Sequence, residues 1–400
     1  MASNASQGDA DKSSRYIIEF ILFGMYLTFG LSWISTVPMS AEINQFLGVD
    51  KLQGARIFTI ISAAKSVFPI LAGILAAKIG LRNALKISSI LIMAGLIVPF
   101  LPNYYMWIVT RFAFGVGGAM WVTLMGATAM QIFPPQQRPI VNALNGIAVN
   151  AGFALSLRYT LKIQESLGWQ NTMTLYSLIS AVFAVMLFVF GSSIPSETSN
   201  SSSNEESYLK TLKMPLTWII SVAFTGPLAI YLVFNGLLPI YYQEVFNIPK
   251  LQTMQWISLI NLWGIPSSIA TGFLLQRFGK CKPFILAASI LLPAVSLSSV
   301  LISNTSVMSI MLPLTGIGMF LSVSPLITLT QNQKGMTPKL MGMVLGTMFS
   351  VTYIVSSAIP EIIGFFNRSG VPLGTLLSIA CILTISPAIS LLLPEKEKEV

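Results

Sequence analysis

Apolar residues run through this 400-residue chain in long blocks rather than in strict alternation. About 20 uncharged residues carry a helix through about 30 Å of hydrocarbon. Twelve such blocks follow one another, near 16–40, 54–77, 84–101, 104–131, 139–163 and 171–191, then near 217–241, 252–276, 284–303, 306–330, 340–364 and 371–393. The longest uncharged stretch, 283–333, is too long for one crossing, and the polar triplet Ser303-Asn304-Thr305 divides it. The short alternating segments of a membrane β-barrel are absent, so the pattern predicts an all-α polytopic membrane protein of twelve helices. Between blocks six and seven lies SSIPSETSNSSSNEESYLKTLK, the longest polar stretch. Its Ser, Asn and Glu content predicts a flexible linker over 192–213, separating a six-helix bundle over 1–191 from a second over 214–400. The polar first fifteen residues lead into a segment without a small-residue cleavage site, which reads as a retained first span.

Composition narrows the class. The chain is 54% hydrophobic and only 9% charged, against about 25% charged in soluble domains. Two cysteines, Cys281 and Cys381, and no histidine exclude a disulfide scaffold and a thiolate metal cluster. No phosphate-binding loop and no nucleophile–base pair is evident, so neither an enzyme nor a cofactor is expected. The formal charge of +9 is explained by its distribution. With the N-terminus in the cytoplasm, fifteen of the 23 Lys and Arg residues fall on that side. Five, Lys51, Arg56, Lys162, Lys250 and Arg368, fall on the other, and three lie within spans. The positive-inside rule then places both termini in the cytoplasm, in a plasma or bacterial inner membrane, with no nucleic-acid partner.

A motif recurs at half the chain length. The loop after span 2 carries Gly73, Leu75, Lys78, Gly80, Arg82 and Lys86; the loop after span 8 carries Gly272, Arg277, Gly279, Lys280 and Lys282. Glycines and cations are in register at an offset of 199 residues, as in transporters built from duplicated halves with a solute site between them. The pattern resembles the loop G-x-L-a-D-r-x-G-r-r of the major facilitator superfamily of secondary transporters, with Ala77 and Gln276 at its acidic position. The fourth-span pattern R-x-x-x-G-x-G-x-A of that family is met by Arg111, Gly115, Gly117 and Ala119. Val149-Asn150-Ala151-Gly152 stands where many drug/proton antiporters carry a Gly-Pro signature, which tilts against a multidrug exporter. The resemblance implies two pseudo-symmetric bundles, a central cavity lined by spans 1, 4, 7 and 10 and flanked by 2, 5, 8 and 11, and a monomer working by alternating access.

Charges inside hydrocarbon are costly and usually face a cavity, a partner or a substrate. Lys65 in span 2, Arg111 in span 4 and Arg158 in span 5 have no central carboxylate to oppose them, because Glu19 and Glu361 lie near span ends. Lys65, near the midplane, cannot snorkel; Arg158 can reach the outer headgroups, and Arg111 can serve the close-packed glycine region beside it. An uncompensated cationic cavity calls for an anionic solute. Tyr26 and Trp33 on span 1, Asn145 and Asn150 on span 5, Tyr231 and Asn235 on span 7, Asn261 on span 8 and Tyr353 on span 11 complete the candidate site. Tyr241, Tyr242 and Trp256 read as interfacial anchors.

The expectation is a secondary transporter of an organic anion of carboxylate type, with protons as a candidate coupling ion and Glu19 as their candidate carrier. The alternatives are a drug or metabolite exporter of the same superfamily, a transporter of small inorganic anions such as nitrate, and a membrane receptor or scaffold. Membrane lipids are the other expected partner.

Overall fold

The computed structural model describes residues 2–133, 138–194, 211–334 and 338–395. Among them the chain is helical, with no strand. In order, the long helices are α1 (Ala2–Ile34), α2 (Lys51–Ile79), α3 (Leu81–Met93), α4 (Tyr104–Ile132), α5 (Arg138–Leu167) and α6 (Trp169–Phe190). They are followed by α7 (Pro215–Gly236), α8 (Lys250–Phe278), α9 (Lys282–Leu301), α10 (Thr305–Leu321), α11 (Pro338–Arg368) and α12 (Leu373–Ile382). Helix α3 is extended by tight turns to Phe100, α10 by a second helix to Gln331, and α12 by a 3-10 stretch to Leu392. Most of the expected linker, 195–210, lies outside the described residues.

Eleven of the described helices are long and apolar enough to cross a bilayer. The exception is α5, where the fifth block was expected. It has 30 residues, enough for about 45 Å, but it carries Asn145, Asn150, Arg158, Lys162, Gln164 and Glu165. Its position accounts for the two amides: α5 is packed between α1 and α8, so the residues Asn145 and Asn150 are buried against protein instead of lipid, while Arg158, Lys162 and Glu165 toward its C-terminal end are exposed. By contrast Leu178, Val182, Val185 and Val189 form one exposed apolar strip along α6, which is the surface of a helix facing hydrocarbon.

The main packings of the first six helices recur six helices later. Helix α2 packs on α4 as α8 does on α10; α1 on α5 as α7 on α11; α3 on α4 as α9 on α10; and α1 on α6 as α7 on the end of α12. The two bundles meet along α2–α11 and α5–α8. Close approach depends on paired glycines. A Cβ at Gly115 of α4 would lie 2.9 Å from Ile61 of α2, and one at Gly316 of α10 would lie 2.1 Å from the Ile260 carbonyl of α8.

The repeated loop is built alike in both halves. Gly80 closes α2 at φ +83° and Gly279 closes α8 at φ +68°, a backbone region that L-residues avoid. Arg82 donates to the Ile194 and Ser192 carbonyls at the end of α6. In the second copy the Glu395 carboxylate, beyond α12, accepts from the Cys281 and Lys282 main-chain N–H groups. Lys78, Arg277 and Lys280 are exposed, and a Cβ on Gly272 would meet open space.

Two expectations change. The first block ends at Ile34, because the Ser35 and Thr36 hydroxyls donate to the Ser32 and Trp33 carbonyls and terminate the helix, and a separate helix, Ser40–Leu47, follows. Tyr241 and Tyr242 are buried rather than interfacial: on the short helix Leu238–Val245 they donate to the Val300 and Ser299 carbonyls of α9.

Candidate functional site

The centre of the molecule is organised around Lys65. Its position in α2, fourteen residues from Lys51 and fourteen from Ile79, places it near the middle of the helix. The side chain is 1% exposed. Its ammonium donates to the Tyr26 hydroxyl at 3.1 Å and lies over four rings, Trp33 at 4.5 Å, Phe29 at 5.2 Å, and Tyr26 and Tyr353 at 5.3 Å each. Among the described residues no carboxylate pairs with it. Ring quadrupoles attract a cation, yet they leave its full charge to be neutralised by something else. Tyr26, Phe29 and Trp33 reach the site from one side because three- and four-residue steps return to one face of α1.

A polar chain continues from this cage into the second half. Tyr231 of α7 stacks on Phe153 with ring centroids 5.6 Å apart and donates to the Asn150 side-chain carbonyl at 2.9 Å, joining the two bundles. Asn235 donates to the Tyr231 main-chain carbonyl, and Asn261 of α8 donates to Asn235 at 2.8 Å. The Asn261 carbonyl oxygen, the Ser62 hydroxyl one turn from Lys65, and the Ser350 hydroxyl one turn from Tyr353 are buried without partners. Buried polar groups are usually satisfied, so these three leave hydrogen-bonding capacity for a solute or water.

Arg111 has a different job. Fully buried in α4, its guanidinium donates to the Ser32, Trp33 and Ile57 carbonyls at 3.1, 2.8 and 3.4 Å. Ser32 and Trp33 belong to the last turn of α1, where carbonyls have no intrahelical partner and the helix dipole favours a cation. Arg111 thus caps α1 from a neighbouring helix, and the same turn holds Trp33 over Lys65. Trp33 is fixed further by donating to the Phe58 carbonyl.

Of the residues singled out from sequence, the structure gathers Lys65, Tyr26, Trp33, Asn150, Tyr231, Asn235, Asn261 and Tyr353. Arg158 is exposed, and no contact joins it to the cage. Asn145 lies beside Glu19 instead, toward the Lys78 end of the bundle. Phe29 and Phe153 were missed, since a phenylalanine in an apolar helix gives no signal distinguishing a cage wall from core.

At the opposite end three ion pairs cross between the bundles. Lys51 meets Glu244, Arg56 meets Glu361 at 3.1 Å, and Lys250 meets Glu42 at 3.6 Å. Every cation here is one that the charge count assigns to the outer face.

The sequence model of the Major Facilitator Superfamily matches residues 22–360, which takes in eleven helices and both copies of the loop. The chain belongs to the major facilitator superfamily. Membership makes it an integral membrane transporter rather than an enzyme. Within the superfamily it is similar to a probable nitrate transporter of Staphylococcus carnosus, 29% identical over 161 residues, 40% of this chain and 41% of that one. It is also 23% identical over 239 residues, 59% of each chain, to a nitrite extrusion protein of Bacillus subtilis. The chain thus spans about half the length of these relatives. In structure it resembles a bacterial homologue of the human lysosomal transporter Spinster in an inward-facing, unoccupied conformation, with TM-score 0.65 over 95% of both chains at 10% identity. That likeness concerns the superfamily fold alone.

Proposed function

We propose that this protein is a secondary transporter of a small monovalent anion, a planar oxoanion or a monocarboxylate, which binds at Lys65. The observation that carries the reading is a mid-helix ammonium, enclosed by four aromatic rings, that no carboxylate among the described residues neutralises. Charge counting favours a single negative charge. Arg111 is committed to main-chain carbonyls and Arg158 is exposed, so one cation remains for the solute. A polycarboxylate would bring charges that nothing in the cage answers, and desolvating them is expensive. Flat rings suit a flat, weakly hydrated anion or an organic acid with a short apolar body. The nitrate and nitrite proteins among the relatives agree with an anionic solute.

The halves over 1–191 and 214–400 rock about this site, opening it to each side in turn. Both termini and the Lys78 end face the cytoplasm, following the distribution of cations. The protein acts as a monomer, and the organic-anion and inorganic-anion readings share one site and one test.

That test is uptake into proteoliposomes of labelled nitrate, nitrite, a monocarboxylate, a dicarboxylate and a cationic dye, for the wild type and for Lys65→Gln. Monovalent anions are expected to enter and Lys65→Gln to abolish their saturable uptake, while Lys65→Arg retains part of it. Entry of the dye alone, or anion uptake indifferent to Lys65→Gln, overturns the reading.

A further inference from the structure

At the Lys51 end, a groove of about 350 Å³ lies between α2 and α11, lined by Arg56, Glu361, Ile362, Phe365, Phe366 and Arg368. Its two halves differ in character. Ile362, Phe365 and Phe366 follow one another at steps of three and four residues along one face of α11, and all three are exposed. Ile354 and Ala358 carry the same exposed strip toward the middle of the helix. Between Ile354 and Phe366 the strip advances twelve residues, about 18 Å of helix. One leaflet's share of the hydrocarbon is about 15 Å, so the strip is as long as a leaflet is deep.

The polar half holds two guanidinium groups and one carboxylate, a surplus of one positive charge. Arg56 donates from Nε to Glu361 at 3.1 Å, and its guanidinium also bonds the Tyr104 side chain. A guanidinium carries five N–H groups, so donors remain. Arg368, the last residue of α11, is exposed and has no hydrogen-bond or ion-pair partner among the described residues. The helix end beside it adds little negative charge to the groove, because the Phe365 and Phe366 carbonyls accept from the Ser369 and Val371 main-chain N–H groups.

We propose that this groove binds one anionic phospholipid, its phosphate between Arg56 and Arg368 and an acyl chain along Ile362, Phe365 and Phe366. A single negative charge answers the surplus of one, and arginine suits a phosphate because its planar fork donates two parallel bonds. The apolar half calls for a tail that a free inorganic anion does not have. A zwitterionic headgroup would bring its own cation to a site that is already positive. Arg56 belongs to the first bundle and Arg368 to the second. A phosphate held by both is a further bridge across α2 and α11 beside the Arg56–Glu361 pair, so the lipid favours the closed state of the Lys51 end. The site stands whatever solute Lys65 takes.

The experiment titrates the full chain, in a neutral detergent, with phosphatidylglycerol, phosphatidylcholine and water-soluble glycerol phosphate. Bound lipid is counted by native mass spectrometry, and the melting temperature is followed in the same samples. Phosphatidylglycerol is expected to be retained in preference to phosphatidylcholine and to raise the melting temperature, which glycerol phosphate leaves unchanged. Arg368→Gln, at an exposed position that folding does not depend on, is expected to weaken phosphatidylglycerol binding about fivefold, the contribution of one basic side chain at an anionic lipid surface. Phe365→Ser should weaken it too, and Lys162→Gln, which removes an exposed cation of α5, should not. Glu361→Gln gives the sharpest sign: losing the competing carboxylate is expected to tighten lipid binding even though it breaks the ion pair with Arg56. Equal retention of phosphatidylcholine, unchanged binding in Arg368→Gln, stabilisation by glycerol phosphate as strong as by the lipid, or weaker binding in Glu361→Gln overturns the proposal. None of these readouts involves transport, so each outcome leaves the reading of Lys65 to its own test.

Discussion

At the scale of single residues, the buried cations divide by what their donors meet. Arg111 spends its guanidinium on three carbonyls, two of them in the final turn of α1, so it is a brace for the cage rather than its charge. Replacing it with alanine leaves the Ser32 and Trp33 carbonyls to the Ser35 and Thr36 hydroxyls alone and opens a cavity, and hydrogen bonds to a charged group contribute about 1.5–3 kcal/mol. Arg111→Ala is therefore expected to lower the melting temperature of the purified protein sharply. Arg111→Lys, which keeps the charge but loses the planar fork, should fall between alanine and the wild type. A thermal profile of Arg111→Ala matching the wild type would return Arg111 to the solute site. Sequence alone could grade Lys65 above the two arginines from its distance to either helix end. It could not separate Asn145 from Asn150. Five residues turn a helix by about 140°, enough to send one side chain to Glu19 and the other to Tyr231. Nor could it hold Arg158 off the site. Only the packing of α5 decides which of its faces is outside.

Between elements, most of the architecture was legible because hydrocarbon imposes a length. Each of the twelve blocks falls on one of the long helices with its extension, although the first runs six residues past Ile34 and the seventh five past Gly236, and the loop repeat marks the ends of α2 and α8. What hydropathy could not register was where a continuous apolar run breaks. The stop at Ile34 is made by buried hydroxyls, and the start of Leu238–Val245 by a turn at Leu237 followed by Pro239. The glycine pairs were legible as small residues but not as contacts. Gly115 and Gly316 occupy equivalent crossings, α4 on α2 and α10 on α8, where backbones touch. Overpacking such a contact costs about 1–3 kcal/mol or more. Gly316→Val is thus expected to reduce folded yield and melting temperature in detergent, and Gly115→Val to do so in the same direction. Gly346→Ala, whose Cβ would meet nothing within 4 Å, is expected to behave as the wild type. Equal tolerance at all three positions would show that the helices can move apart at these crossings.

For the whole molecule, the three ion pairs found between bundles among the described residues sit at one end, joining Lys51 to Glu244, Arg56 to Glu361 and Lys250 to Glu42. Each is partly exposed, and such a pair contributes about 0.2–1 kcal/mol. Alone, none would hold a gate. Together they bias the equilibrium between open and closed ends by about 0.6–3 kcal/mol, roughly a 3- to 150-fold change in population. Ser62, on α2 one turn from Lys65 toward that end, is fully buried with an unpartnered hydroxyl, so a cysteine there reports opening. The native thiols give little background: Cys381 is buried, and burial with the neighbouring Glu395 charge pushes the Cys281 thiol up to about 11, which keeps it protonated and slow to alkylate at neutral pH. In Ser62→Cys protein, neutralising Glu42, Glu244 and Glu361 to glutamine is expected to speed labelling by a membrane-impermeant maleimide added to the Lys51 side. High salt should do the same more weakly, because exposed charges are screened. Exchanging the partners at one pair, Lys51→Glu with Glu244→Lys, should restore slow labelling relative to Lys51→Glu alone. If the triple variant labels at the wild-type rate, the end is held by the apolar packing of α2 on α11 and α5 on α8, and the ion pairs are passengers on a contact that hydrophobic surfaces already close.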